Sequence, residues 1–126
     1  MSKQFTDIQR LRLEMAVYQA ADRYYVGYTG GSWKFDEEGQ YWWPDVEGEV
    51  TLDNPNYGDQ VMTARAAGVA LSSLMANRIC WRMAENEQHE EGAFWAAMFY
   101  QIRNHAINDD SKFSDSDKGA IIRFLD

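Results

Sequence analysis

The 126-residue chain carries 20 acidic and 12 basic side chains, a formal net charge of −8, and 14% aromatic residues. Its length suits one domain, residues 1–126, around one core, and five Trp, seven Tyr and six Phe supply more apolar surface than a disordered chain carries. The charge argues against nucleic acid and anionic lipid as direct partners, because proteins that track a phosphate backbone need a basic patch.

The one cysteine, Cys80, has no internal disulfide partner. With two histidines it gives no Cys/His metal spacing, so no metal and no cofactor is expected. The segment from Met1 to Asp7 lacks the apolar run of a secretory signal. The longest apolar stretch, from Ala64 to Ala76, is interrupted by Arg65, Ser72 and Ser73 and is shorter than the roughly 20 residues a bilayer requires. These features lead to the expectation of a cytoplasmic protein that neither enters a membrane nor binds one.

The negative charge is localised. Between residues 36 and 59 stand Asp36, Glu37, Glu38, Asp45, Glu47, Glu49, Asp53 and Asp59 with no base among them, so this window accounts for the whole −8 and the remainder is balanced. From Gln60 to Ala84 there are three arginines and no acid. Such polarity along a chain bears on partners and says little about fold. It is read either as a solvated acidic rim or as a docking surface.

In chain order, Thr6 to Tyr24 is a predicted helix: Thr6 or Asp7 caps it, and Ile8, Leu11, Met15 and Tyr18 recur at helical spacing as its buried stripe. Gly27, Gly30 and Gly31 mark a turn. Ser32 to Asp36 and Gln40 to Pro44 form a β-hairpin pattern with Gly39 in its turn, and Trp33 and Phe35 share a face. Val46 to Leu52 is a third candidate strand, with Val50 and Leu52 on one side and Glu47 and Glu49 on the other. Asp53 to Asp59 is a loop. A long helix capped by Thr63 runs to about Ala84, and Gly68 within it marks a place where another element passes close. A third helix spans about Glu90 to Ala106, with Phe94, Met98 and Ile102 on one face. Ser114 to Asp117 resembles a capping box for a short last helix. The predicted fold class is α+β, a small antiparallel β-meander packed against about four helices.

No catalytic constellation emerges. Arg78 and Arg82 are two residues from Cys80 and point away from it on a helix, so Cys80 reads as a small buried hydrophobe. His89 reads as an exposed link residue and His105 as a favourable charge near a helix C-terminus. Glu47 and Glu49, beside Trp33, Trp42 and Trp43, suggest a carboxylate pair of the kind sugar hydrolases use, although eight acids in a short window make such pairs unavoidable. The glycines fit neither a P-loop nor a dinucleotide fingerprint. A binding role is favoured over an enzymatic one.

The order Tyr28-Thr29-Gly30-Gly31-Ser32-Trp33-Lys34-Phe35, Trp43-Pro44, Ala66-Ala67-Gly68-Val69 and Tyr100-Gln101-Ile102-Arg103 resembles the ArdB/KlcA antirestriction family over roughly residues 14–126. In that resemblance Gly30, Gly31, Trp33, Phe35, Pro44, Ala66, Ala67, Gly68, Tyr100 and Arg103 are motif positions, mainly structural. Two segments depart from the family pattern: Asp36 to Pro44, and the longer stretch Asn108 to Lys118. The resemblance implies a small protein of mobile genetic elements, without a catalytic centre, that protects incoming plasmid or phage DNA from host type I restriction enzymes. Its expected partner is the restriction complex or a related DNA-handling nuclease, met by the acidic segment through protein–protein contact. An anti-CRISPR inhibitor and a carbohydrate- or small-molecule-active enzyme are the alternative expectations, and a scaffolding module whose acids serve solubility is a third.

Overall fold

The computed structural model describes residues 2–126. The described residues form α1 (Asp7–Tyr24), β1 (Trp33–Asp36), β2 (Tyr41–Pro44), β3 (Glu49–Asn54), β4 (Gly58–Thr63), α2 (Ala64–Glu85), α3 (His89–Ile107) and α4 (Asp115–Leu125). The α+β class and the four helices are as expected. The strands are arranged as two separate antiparallel hairpins, β1–β2 and β3–β4, in place of one meander.

Helix α1 begins at a reciprocal capping box. Thr6 Oγ1 accepts from the Gln9 amide at 3.2 Å, and Gln9 Oε1 accepts from the Thr6 amide at 2.9 Å, so two otherwise unpartnered donors are satisfied. Its buried stripe corrects the sequence reading. Ile8, Leu11 and Met15 are 77%, 55% and 59% exposed, whereas Leu13, Val17, Ala20, Ala21 and Tyr24 face the core. At about 100° per residue the two sets lie on opposite sides of the helix. The small Ala20 and Ala21 allow close approach, and the Tyr24 ring meets Phe124 edge-on at 5.5 Å.

The β1–β2 hairpin pairs Trp33 with Pro44, Lys34 with Trp43, Phe35 with Trp42 and Asp36 with Tyr41. Side chains directly opposite in an antiparallel pair share a face, so the hairpin has two. Phe35 and Trp42 pack edge-on at 5.1 Å on the face toward α1, where Trp42 Nε1 donates to the Arg10 carbonyl and the Arg10 guanidinium lies 4.1 Å from the Phe35 ring centre. Asp36, Tyr41 and Trp43 occupy the other face. In the turn, Gln40 and not Gly39 takes the left-handed backbone, φ 58°. Gly39 is required for space instead: a side chain there would lie 2.5 Å from the Tyr41 ring and 2.7 Å from His105. The buried Gln40 side chain compensates for its backbone by accepting from the Phe5 amide and donating to the Glu37 carbonyl, both at 2.8 Å.

The outer edge of β2 is closed by α2. Ser72 Oγ accepts from the Trp42 amide at 3.1 Å and donates to the Trp42 carbonyl at 3.2 Å. A third strand therefore finds that edge occupied. Gly48, at φ 83°, turns the chain away, and the strand that follows pairs with β4 from Glu49 opposite Thr63 to Asn54 opposite Gly58. Val46 and Glu47 lie outside it. The segment expected to be a loop contains the β3–β4 turn, where Asn54 Oδ1 accepts from the amides of Asn56 and Tyr57. Asn54 Nδ2 donates to the Arg123 and Phe124 carbonyls at the end of α4, at 3.0 and 2.7 Å.

Helix α2 starts as predicted, with Thr63 Oγ1 accepting from the Ala66 amide at 3.3 Å. At Gly68 the passing element is β2: a methyl group at that position would overlap Trp43 and lie 2.5 Å from the Trp42 carbonyl oxygen. Helix α4 starts with Ser114 Oγ accepting from the Asp117 amide at 3.1 Å. The Asp117 carboxylate reaches across to the other helix start, accepting from the Thr63 amide at 3.1 Å and the Thr63 hydroxyl at 2.7 Å. One carboxylate thus joins two helix N-termini, where the helix dipoles favour negative charge. Buried side chains from all four helices and both hairpins form one cluster, with Trp95, Tyr41, Leu13, Leu52 and Met62 among its largest members.

Gly68→Ala is expected to destabilise the fold by about 1–3 kcal/mol, because the overlap outweighs the roughly 1 kcal/mol that alanine gains in a helix. Gly92→Ala, whose added methyl meets Met83 and the Cys80 carbonyl at an ordinary 3.5 Å, is expected to be neutral or stabilising. Denaturant unfolding of the two variants checks the contrast. Asp117→Ala removes both acceptors from Thr63 and is expected to cost about 1–3 kcal/mol in the same measurement.

Candidate functional site

The candidate site is a cleft of about 1200 Å³. The cleft-facing side of β1–β2 and the β2–β3 connection form one wall, the α2 N-terminus forms the floor, and the end of α3 with the α3–α4 connection forms the other wall. Its elements converge through contacts already described: Gly39 brings the hairpin turn against His105, and Asp117 ties α4 to the floor.

Arg65, in the first turn of α2, is the fixed cation of the cleft. Its guanidinium lies 4.3 Å from the Trp43 ring centre, 2.9 Å from Asp36 Oδ1 and 3.4 Å from the Tyr41 hydroxyl. Contact with the Tyr41 oxygen and Asp36 holds Arg65 more firmly protonated than usual. Burial pushes the Tyr41 phenol up, and the neighbouring carboxylates reinforce that, while Arg65 opposes it. His105 is flanked by the Tyr41 and Phe113 rings at 6.1 and 6.4 Å between centres. Asn108, Asp110, Lys112 and Phe113 complete the far wall, within the segment that departs from the family pattern. Sequence reasoning missed Arg65, His105, Asp110, Lys112 and Phe113 as site residues; the departure of Asn108 to Lys118 was a signal for Asp110, Lys112 and Phe113, and nothing local marked Arg65 or His105.

The eight acids do not form one surface. Asp36 is bound by Arg65, and its other oxygen accepts from the Gly39 amide at 2.6 Å. Glu37 forms a two-pronged pair with Arg10 at 3.1 and 3.2 Å. Asp45 lies 3.6 Å from Lys34. Glu38 and Glu49 line the cleft, each exposed and in no ion pair among the described residues. Glu47 is exposed just before β3, so Glu47 and Glu49 do not share one strand face as the carboxylate-pair reading required. Asp53 and Asp59 face each other across β3–β4, roughly 14 Å further along the hairpin than Glu49 at about 3.4 Å per residue.

The motif positions behave as packing and turn residues. Gly30 and Gly31 hold φ of 96° and 125°. Trp33 is buried and donates its indole N–H to the Tyr28 hydroxyl at 3.0 Å. Phe35 is half-buried, Pro44 is buried, and Ala66, Ala67 and Gly68 are buried on α2. Arg103 is half-buried beside Asn104, whereas Tyr100 is 60% exposed. Cys80 is a half-buried free thiol, and His89 is exposed at the start of α3. Among the described residues no helix is long and apolar enough to cross a membrane.

Arg65→Met is expected to move the Tyr41 phenol further up, since a contact that lowers it is lost; ultraviolet titration of tyrosinate measures this. Tyr18, half-buried and donating to Glu14 at 2.6 Å, is pushed up to about 12 by partial desolvation and by that carboxylate, and burial also raises Tyr25. These protons are retained in the folded state after the unfolded chain has lost them. Stability is therefore expected to be undiminished by these groups below about pH 10 and to fall as pH rises toward about 12. Tyr18→Phe is expected to flatten that fall in denaturant midpoints measured against pH.

No protein-family model matches the chain. Over 97 residues it is 31% identical to the Escherichia coli (strain K12) protein named "Putative antirestriction protein YubI". The match covers 75% of this chain and 65% of that protein, so the chain spans a little under two thirds of the length of the relative it resembles.

Proposed function

We propose that this chain is a non-enzymatic antirestriction protein of the ArdB/KlcA kind, acting in the cytoplasm to protect incoming plasmid or phage DNA by contacting a host type I restriction enzyme. The observation that carries the reading is the 31% identity to a protein named for antirestriction. Two physical features support contact with a protein in preference to DNA. The chain is strongly acidic, with the excess confined to residues 36–59, which favours encounter with a basic protein surface. The acids are also divided among two hairpins and the segment that joins them, with three engaged in ion pairs, unlike the regular charge spacing of a duplex, about one per 1.7 Å.

Five of the eight acids, Glu38, Glu47, Glu49, Asp53 and Asp59, are exposed and in no ion pair among the described residues, and of these Glu38 and Glu49 line the cleft. Reversing Asp36 or Glu37 would disrupt Arg65 or Arg10 and confuse folding with binding.

Expression of the protein in a host carrying a type I restriction enzyme is expected to raise the plating efficiency of unmodified phage, with no change on the same host lacking that enzyme. Glu38→Lys, Glu47→Lys and Glu49→Lys together are expected to reduce protection while leaving the unfolding midpoint near that of the parent. Equal plating with and without the protein would overturn the reading.

A further inference from the structure

The cleft goes further than its acidic content alone. Its volume of about 1200 Å³ exceeds the roughly 300–1,000 Å³ of small-ligand pockets, and it is open along a rim formed by residues distant in sequence. These dimensions suit a segment of polypeptide. Its chemistry is two-sided. Trp43 and the 43% exposed Val46 line one wall, and Phe113 lines the other, so the walls offer apolar contact. Asp36 is already neutralised by Arg65, and Asp117 is engaged by Thr63. Glu38, Glu49 and Asp110 are left exposed in the cleft without an ion pair among the described residues, against Lys112 as the one lining lysine.

The occupant complementary to this arrangement is cationic and carries apolar surface beside its charge. Arginine satisfies carboxylates through a planar, two-pronged donor set and also stacks on aromatic faces, which lysine does less well. Phosphate-bearing ligands meet repulsion from three unpaired carboxylates. We infer that the cleft receives an arginine-bearing protein segment with an apolar residue between its arginines, held between Glu38 and Glu49 on one wall and Asp110 on the other. The inference deepens the antirestriction reading and rests on it for the identification of the segment with a loop of a DNA-handling enzyme, where exposed arginines serve phosphate contact.

The test is a nuclear magnetic resonance titration of the intact protein with a capped pentapeptide, Gly-Arg-Leu-Arg-Gly, and with its Gly-Glu-Leu-Glu-Gly counterpart. The arginine peptide is expected to shift the Trp43 indole resonance and the amides of Asp110 to Phe113, and to bind less well in higher salt. Glu38→Gln, Glu49→Gln and Asp110→Gln combined is expected to weaken binding at least about tenfold. The single variants Glu38→Gln and Asp110→Gln, with an unfolding midpoint measured for each, separate loss of charge from loss of fold. Equal shifts from the glutamate peptide, shifts confined to other surfaces, or no shifts at millimolar peptide would overturn the inference. Phage plating reads the function separately. Protection without peptide binding leaves the antirestriction reading in place and removes this one, whereas peptide binding at the cleft without protection does the reverse.

Discussion

The approach of the β2 backbone to α2 is the constraint on which the rest of the fold depends. A strand edge normally presents unpaired amides and carbonyls to solvent or to another strand. Here a serine hydroxyl on a helix meets both polar groups of Trp42, and a glycine one turn earlier removes the side chain that would hold the two backbones apart. The sheet stops at two strands because its next neighbour is a helix. The polypeptide then makes its second hairpin elsewhere, and the two hairpins flank the start of the same helix.

The cleft is a product of that arrangement. With β2 laid on α2, one face of the first hairpin is committed to α1 through Phe35, Trp42 and Arg10. The opposite face, bearing Asp36, Tyr41 and Trp43, is left to form a wall. The floor is rigid because Thr63 is engaged twice, by its own helix and by Asp117. Arg65 is stacked and ion-paired before any partner arrives, so it shapes the wall more than it offers free charge. The net character of the cleft follows from which carboxylates are already used.

Features governed by chemistry within a few residues were legible in the sequence. Thr63 and Ser114 act as caps, and Gly68 marks a close approach, because hydroxyls before helices and glycine within one have few other uses. Features decided by tertiary choice were not. Helix α1 carries two apolar stripes, and Ile8, Leu11 and Met15 make the exposed one; what packs against Leu13, Val17, Ala20, Ala21 and Tyr24 determines the choice, and those partners come from elsewhere in the chain. Strand β4 was hidden because its inward positions include Gln60, a polar residue made compatible with burial by Arg123, whose Nε donates to it at 2.8 Å. The acidic window was visible as a count, but its division into paired and unpaired carboxylates depends on Arg10, Lys34 and Arg65, two of which lie outside the first hairpin. His105 could be placed near a helix end, yet its position between Tyr41 and Phe113 depends on a turn more than sixty residues away.

The β3–β4 hairpin also has a consequence for the order of assembly. Its turn is local, but the buried Asn54 amide is satisfied by carbonyls 69 and 70 residues later, and Thr63 by a carboxylate 54 residues later. During synthesis at about 5–20 residues per second, those groups wait roughly 3–14 s for their partners. The hairpin is then an incomplete unit, with strand polarity exposed to competing contacts, until α4 emerges and closes over it. The speed of translation through the two long helices in between sets how long the nascent chain remains in that vulnerable state.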